Sequence, residues 1–485
     1  MKNSTLITVM LIVLMALGWT SALLAPRNKE QEEINSHIIQ AEDYIDRQLY
    51  QKAIEEYDAA LAVRNDEHIW GLKLDAYKSL YEWNDIDFYK GYLQAATTGA
   101  KLFPLNVDFQ IRLADLYIKK EDYTSAFKSL SDAVAAGNKD EHVAKYLFDV
   151  TYAFKVQKAL YNDYRSYCNE FYTVSRKKDN IYYLKASDYT YDYNKLYSFA
   201  GPIGEDGIRL IKNELGTYII DAKNVIQGII KFEPEDCGVY ADGLIPIKQD
   251  GKYSYYDILG DIQFDGATFD YAGTFTNGTA AVCVDKKWKI INKDGNPIDD
   301  KVFDDIVLFS DGTYTRKDVK LFKYDGKYHL TVKGEDRGSF DGADILTDDG
   351  LIAVCVNGKW GYVDFEGEMK IEPQFMLARS FSNGLAAVFN GESWGFINKD
   401  GQLAIAYQFL DVDYFDKNRN CMVALYVEEE KTVDINEEIT DGEVLKETRH
   451  EYAQAKDDGT TEITGTKRVV VKYKRYQLIT LYNEI

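Results

Sequence analysis

An aromatic residue recurs at nearly constant spacing through the second half of this 485-residue chain. Successive aromatic residues are separated by 35, 35, 40, 32 and 34 positions. A period of this size indicates a repeat protein, whose small units must stack because none of them buries its apolar face alone. The aromatic positions are Tyr218, Tyr253, Trp288, Tyr328, Trp360 and Trp394.

Turn signals divide each period into strands. An Asn-Gly or Asp-Gly pair precedes most of the aromatic residues, as at Asn357-Gly358, and an Asp-Gly or Glu-Gly pair follows three of them, as at Asp400-Gly401. These pairs accept positive φ and form two-residue hairpin turns. Each period therefore predicts three short antiparallel strands, with the aromatic residue on the second strand.

The repeats resemble the WG-repeat family, whose Trp-Gly pair stands here at Trp360-Gly361 and Trp394-Gly395. The resemblance covers roughly residues 200–417 and implies an all-β repeat domain, which we place at residues 181–485. The units must stack or close in order to bury their faces, so a propeller-like ring of six or seven units and an open β-solenoid remain alternatives. Tyr476 stands at the aromatic place of a seventh unit in the tail.

An acidic segment interrupts the tail. Residues 428–467 contain 13 acidic and 5 basic residues and little apolar content. This composition predicts a long excursion between two strands, either flexible or a protruding hairpin.

The recurring aromatic residue has two interpretations. A large ring at a fixed place on the second strand predicts a core position, packed against the neighbouring unit. The alternative is a row of exposed rings that stack on sugars. We expect the core interpretation for all seven positions, Tyr476 included.

Residues 31–180 are predicted to be helical, because small and aromatic residues recur there at helical offsets. The offsets resemble those of the tetratricopeptide repeat, which implies three to four helix pairs and a concave face that binds a partner protein. A further helix pair is expected over residues 141–175. The alternative is a spacer without a binding role. The matching packing positions are Ala41, Tyr44, Ala53, Tyr57 and Ala60 in one unit and Ala114, Tyr117, Ala126 and Ala133 in another.

The N-terminal region, residues 1–30, contains an apolar run at residues 5–24. Twenty helical residues span roughly 30 Å, the thickness of a bilayer core. We expect an uncleaved signal anchor in a bacterial cytoplasmic membrane, with the bulk of the chain on the outer side. Secretion after cleavage is the alternative, because Thr20-Ser21-Ala22 resembles a cleavage site.

Charge and motifs exclude several classes of function. The formal net charge of −22 argues against nucleic acid, whose phosphates require clustered Lys and Arg. Five scattered histidines and five scattered cysteines form no metal-ligand spacing, and no catalytic motif is present. We therefore predict no enzyme activity, no cofactor and no metal.

These observations predict an α+β multidomain protein with an N-terminal membrane helix, a tetratricopeptide-like α-solenoid and an all-β repeat domain. The predicted function is that of a membrane-tethered, extracytoplasmic scaffold that binds a protein partner. A module that binds cell-wall polysaccharide is the alternative.

Overall fold

The computed structural model describes residues 29–168, 170–177, 180–191, 197–439, 442–455 and 461–484. The chain forms two compact units, Met1–Ala153 and Phe154–Ile485. The predicted membrane segment at residues 5–24 lies outside the described residues. Among the helices that are described, none has the length and apolar character needed to cross a membrane.

The first unit is a succession of antiparallel helices. Most of them begin at an Asp or Asn whose side chain accepts a hydrogen bond from a backbone N–H of the first turn, which satisfies one of the donors left free there. The helices are α1 (residues 29–46), α2 (Tyr50–Val63), α3 (Glu67–Trp83), α4 (Asp85–Leu102), α5 (Val107–Ile118), α6 (Tyr123–Ala135) and α7 (Glu141–Thr151).

Small side chains line the contacts between these helices. All six of the predicted alanines are buried, as is Tyr57, whereas Tyr44 and Tyr117 are half-buried against the same cores. Alanine lets two helices approach closely, and the tyrosines fill the space towards the next pair. The helix pairs fit the expected offsets, while the tetratricopeptide assignment itself stays a prediction.

The boundary between the units differs from the expected one. Strands occupy residues 154–161, 163–168 and 171–177 in place of the second helix of the pair expected over residues 141–175, so the β unit begins at Phe154 and not near residue 181. Its first strand is stabilised by pairing with a strand near residue 480, a long-range contact that local helical spacing does not reveal.

The β unit contains eight sheets in the described part of the chain, numbered here as blades in chain order. Blade 1 has β2 (Asp163–Cys168), β3 (Phe171–Lys177) and β4 (Asn180–Lys185). Blade 2 has β5 (Phe199–Ala200), β6 (Arg209–Asn213), β7 (Gly216–Ile220) and β8 (Ile226–Ile230). Blade 3 has β9 (Asp236–Cys237), β10 (Ile245–Gln249) and β11 (Lys252–Tyr256), and blade 4 has β12 (Tyr271–Ala272), β13 (Thr279–Val284) and β14 (Lys287–Asn292).

The remaining blades follow the same order. Blade 5 has β15 (Asp305–Ile306), β16 (Val319–Tyr324), β17 (Lys327–Val332) and β18 (Glu335–Phe340). Blade 6 has β19 (Gly342–Ala343), β20 (Leu351–Val356), β21 (Lys359–Asp364) and β22 (Met369–Phe375). Blade 7 has β23 (Leu377–Ala378), β24 (Ala386–Phe389), β25 (Trp394–Ile397) and β26 (Leu403–Phe409). Blade 8 has β27 (Asp411–Val412), β28 (Asn420–Asp434), β29 (Glu443–Ala455), β30 (Thr461–Leu481) and β1 (Phe154–Tyr161).

A short strand opens seven of the blades. Each of these opening strands has two residues and pairs with the next strand of its blade. The expected three strands per period are therefore the second, third and fourth strands of blades 2, 5, 6 and 7, whereas in blades 3 and 4 isolated bridges stand in place of the fourth strand. The opening strand lies in the segment predicted to be a loop, because two residues carry no periodicity.

Strand β1 closes the ring. It pairs antiparallel with β30, with Phe154 opposite Leu481 and Tyr161 opposite Tyr476, so the two ends of the β unit share blade 8. Blade 1 packs on blade 8 through a common core that includes Tyr172 and Met422. The β unit is therefore a closed, propeller-like ring, which decides against the open solenoid.

The ring has eight blades and not six or seven. The predicted number was too low because blade 1 lacks the recurring aromatic residue. Ile181 makes the cross-strand bridge to Tyr197 that Tyr253 makes to Phe269 in blade 3. It stands 37 residues before Tyr218, close to one period. An isoleucine at the aromatic place hid this blade from a search for aromatic spacing.

The described residues of the acidic segment form an arm on blade 8. Beyond Leu425 and Arg475, strands β28 and β30 stay paired as far as Asp434 and Thr466, and β29 pairs with the other edge of β30. The connection between β28 and β29 crosses one face of β30, where Ile439 helps to cover the buried Val471. We call residues 426–474 the arm.

Candidate partner-binding surfaces

The recurring aromatic rings lie at the margin of the core. Tyr253 is buried, whereas Tyr218, Trp288, Tyr328, Trp360, Trp394 and Tyr476 are half-buried. Several rings are held by neighbours: the Tyr328 hydroxyl donates to Asp305 Oδ2 at 2.7 Å, and the Trp394 ring lies between Phe389 and the Arg379 guanidinium.

The side chain that fills each blade stands two residues after the aromatic ring, on the same face of the strand. In the seven blades with a recurring aromatic residue, this position is buried. In blade 3 the Tyr255 hydroxyl also donates to the Gly273 carbonyl at 2.7 Å, and in blade 1 Tyr183 makes the same bond to Gly201 at 2.7 Å. The side chain that each of these blades encloses fully is therefore the second neighbour of the ring. The rings border the same cores: Tyr253 lies in one, and others pack against one, namely Tyr218, Trp288, Tyr328, Trp360 and Tyr476. The seven buried residues are Ile220, Tyr255, Ile290, Leu330, Tyr362, Phe396 and Leu478.

An acidic mouth lies at the centre of the ring. It is a cavity of about 440 Å³ whose lining includes Cys168 of blade 1 and Asp311 of blade 5, which stand on opposite sides of an eight-blade ring. Arg316 bridges Asp311 at 2.5 Å and Asp348 at 2.6 Å. Five carboxylates and two cationic side chains line this mouth, so its net charge is negative.

Buried carboxylates support one side of the mouth. Burial raises the pKa of Asp416, although Asn420 and the Tyr172 hydroxyl donate hydrogen bonds to it. Burial likewise raises the pKa of Asp344, which accepts from the Tyr414 hydroxyl at 2.6 Å. Both groups are tied into the walls and act as structural acceptors.

The thiol at the mouth is held in the wall, where Cys168 Sγ donates to the Ile203 carbonyl at 3.4 Å. Burial raises the pKa of Cys168 to about 12, which keeps the sulfur protonated. All five cysteines are free, and Cys283 and Cys355 occupy equivalent places opposite Trp288 and Trp360. In the described part of the chain, no group of three or more His, Cys, Asp or Glu side chains is placed to hold a metal ion.

The helical unit has its own concave surface. A groove of about 610 Å³ runs between α3 and α5, with Phe109, Leu72 and Gly71 among its lining residues. Arg112 joins the two helices, since its Nη2 lies 2.7 Å from Asp75 Oδ1 and its Nε lies 2.7 Å from Asp108 Oδ2. Including Asp66 and Glu67, four carboxylates line the groove against one arginine and one histidine, so the groove is acidic.

Sequence reasoning did not find either acidic surface. The groove residues on α3 lie more than 30 positions before those on α5, and the mouth residues come from five blades. The signal available in the sequence was the equivalent position of these carboxylates in successive repeats. Asp75 and Asp108 lie on the first helices of successive pairs, and Asp311 and Asp348 follow successive opening strands.

A closed ring of repeated sheets defines the β unit as a β-propeller-like repeat domain. The family model of the WG containing repeat matches residues 266–288, 360–392 and 394–426, so this chain carries WG repeats and the family resemblance is confirmed. No curated protein sequence matches the chain.

Two solved structures are similar to parts of the chain. The crystal structure of BBS1N in complex with ARL6DN, soaked with mercury, matches at 12% identity over 50% of this chain and 90% of that chain, with a TM-score of 0.28. The AfRom2 CNH domain matches at 9% identity over 66% of this chain and 96% of that chain, with a TM-score of 0.25. At these TM-scores neither likeness carries an argument about function.

Proposed function

We propose that this protein is a non-catalytic scaffold that binds a protein partner, and that the groove between α3 and α5 receives a cationic, extended segment of that partner. A repeat propeller joined to a helical array is typical of binding proteins, since both present large surfaces without a single reactive site. The observation that carries the proposal is the acidic groove of the helical unit.

The groove suits a cationic ligand for electrostatic reasons. Asp75 and Asp108 each hold Arg112, yet both carboxylates are more than half exposed and remain open to a second cation. Lysine or arginine side chains of a partner would gain charge-assisted hydrogen bonds here, and the acidic surface would speed their approach.

The groove also offers an apolar floor. The half-buried Gly71 and Leu72 form this floor, and the buried ring of Phe109 packs beneath Gly71. Apolar contact beneath a charged rim is the usual arrangement at which a peptide gains affinity and a partner gains specificity. An extended segment with alternating cationic and apolar residues satisfies both parts of the surface.

A labelled peptide rich in lysine and leucine tests the groove, with a glutamate-and-leucine peptide as the control ligand. The double variant Asp75→Asn/Asp108→Asn should bind the lysine peptide about tenfold more weakly in fluorescence anisotropy, and added salt should lower the affinity of the wild type for the same peptide. The matched variant Glu55→Gln/Asp132→Asn, which neutralises exposed acids on α2 and α6, should bind like the wild type. Equal affinity of all three proteins contradicts the proposal. A pull-down from solubilised membranes with the same variants then identifies the partner.

We further propose that residues 5–24 tether the scaffold to a bacterial cytoplasmic membrane, with both units on the outer side. The support is the length and apolar character of that run. The full-length protein should stay with the membrane after a high-salt wash and keep its N-terminal residues in mass spectrometry. A mature protein that begins beyond residue 20 supports secretion instead.

A further inference from the structure

The edge of the arm is available to another strand. Strand β29 pairs with β30 along one side, and among the described residues its other side has no strand partner. Its described side chains, residues 443–450, are all exposed, with Val444 at 41% and Leu445 at 45%. A long edge of unpaired N–H and C=O groups with exposed apolar side chains is a template for pairing.

The two edges of the arm differ in charge pattern. The free side of β28 carries Glu428, Glu429 and Glu430 in succession, so a copy of β28 placed beside it would bring like charges together. In β29 both signs alternate along the strand, and Glu447 and Arg449 form an ion pair on one face. Charge repulsion therefore disfavours the pairing of the β28 edge with a second copy of itself, whereas the charges on the β29 edge are complementary to those of a second β29.

We propose that β29 pairs antiparallel with β29 of a second copy of this chain, about a two-fold axis at Thr448. In this register Thr448 faces Thr448, and each Glu447 lies opposite Arg449 of the other copy. Two cross-strand ion pairs then join the two existing ones in a network of four charges, and the two three-stranded arms become one six-stranded sheet.

The charge pattern also selects the register. A two-fold axis one residue away, at Glu447 or at Arg449, places two like charges face to face, which is unfavourable. An axis at Thr448 avoids this and puts a small side chain at the most crowded point. The expected interface is isologous and closed, so assembly stops at the dimer.

Charge reversal tests the pairing. The full chain in detergent should have the mass of two protomers in sedimentation analysis. Glu447→Arg should weaken the dimer by about tenfold, because both cross-strand pairs become repulsive. The swap Glu447→Arg/Arg449→Glu should restore it, and Glu429→Arg on the β28 edge should leave it unchanged. A wild-type chain that stays monomeric, or a Glu447→Arg variant that dimerises as well as wild type, overturns the proposal.

Disulfide trapping tests the register independently. Residues directly opposite each other in an antiparallel pair lie about 4.5–5.5 Å apart between Cα atoms, within the range of a disulfide. Thr448→Cys should therefore form a covalent dimer. Lys446→Cys and His450→Cys should not, because each lies two residues from the axis and roughly 14 Å along the strand from its own copy. A cross-link at position 450 in place of 448 contradicts the proposed axis, and no cross-link at either position contradicts the pairing.

Discussion

Lys399 Nζ lies 2.7 Å from Asp349 Oδ1, which ties the turn after β25 in blade 7 to the loop after β19 in blade 6. The other oxygen of Asp349 accepts from the backbone N–H of Gly384 at 2.7 Å. Blades 3 and 4 repeat the arrangement: Asp242 accepts from Gly278 N at 2.7 Å, and the Asp242 carbonyl accepts from Lys293 Nζ at 2.6 Å. The two Asn-Lys-Asp-Gly turns, residues 292–295 and 398–401, therefore place a lysine that joins neighbouring blades.

We predict that Asp349→Ala costs about 1–3 kcal/mol of unfolding free energy, because it leaves the partly buried Gly384 N–H without its acceptor. Lys399→Met should cost less than about 1 kcal/mol, since the lysine side chain is 47% exposed and Asp349 keeps its backbone donor. Urea unfolding of the purified chain measures both, with Lys289→Met on β14 as the control. Equal losses for Asp349→Ala and Lys399→Met would show that the backbone bond is unimportant.

The position two residues after the aromatic ring should matter more for stability than the ring itself. Tyr362 is fully buried, so Tyr362→Ala should cost about 3–5 kcal/mol, and the half-buried Trp360 should cost less when changed to alanine. Thermal melting compares the two variants. The folded Trp360→Ala and Trp394→Ala variants then test the polysaccharide alternative on a glycan array, where loss of sugar binding without unfolding supports it. A larger loss of stability for Trp360→Ala than for Tyr362→Ala contradicts this ranking of the two positions.

Asp344 and Asp304 should contribute to the pH dependence of stability with opposite signs. Burial raises the folded-state pKa of Asp344 above the ordinary 3.8, so the folded protein keeps a proton that the unfolded chain loses as pH rises from about 4. Asp344→Asn should therefore gain stability relative to wild type between pH 4 and pH 7.

Asp304 provides the matched control. A hydrogen bond from Lys287 lowers the pKa of Asp304, so its contribution is present above pH 3.8 and is lost as pH falls through the lowered value. Asp304→Asn should lose stability relative to wild type at neutral pH and match it in acid. Parallel stability curves for wild type and both variants count against this assignment.

The arm should be dispensable for the ring. In blade 8 Ala424 lies opposite Tyr476, and Leu425 lies opposite Arg475. In blade 6 Cys355 lies opposite Trp360 in the same way, and the two strands are joined one pair later by a two-residue turn. A chain in which Asn-Gly replaces the arm should thus fold with a similar melting temperature. Removing Leu425 as well shifts the register by one residue, turns each side chain of one strand to the opposite face, and should abolish folding. Loss of the ring in the first variant, measured by circular dichroism, contradicts the prediction.

How much of this fold was visible in the sequence depends on whether a feature repeats. The aromatic spacing predicted the β repeats and the turns, because each turn needs residues that accept positive φ, as Asn357 and Gly358 do. Blade 1 was not predicted because Ile181 replaces the aromatic residue. The opening strands were not predicted because two residues have no measurable period.

The candidate surfaces were less accessible for a different reason. A core position is specified by local alternation, but a surface such as the groove joins Asp75 to Arg112 across a distance in sequence that no local pattern encodes. The full enclosure of the side chain two residues after the ring was likewise not visible in the sequence. Trp360 and Tyr362 share a face of β21, and only packing tells which of them is enclosed.

The pairing of β1 with β30 has a consequence for biosynthesis. The side chain of Gln477 donates to the carbonyl of Gln157, 320 residues earlier, so blade 8 cannot be completed until nearly all of the β unit has been made. Until then the core residues Tyr161 and Tyr172 lack their partners Leu478 and Met422. The partly synthesised β unit therefore exposes the apolar side of its first blade to solvent. The slow step in maturation should be this final docking, and a chaperone that shields blade 1 would act on the species that is most prone to aggregate.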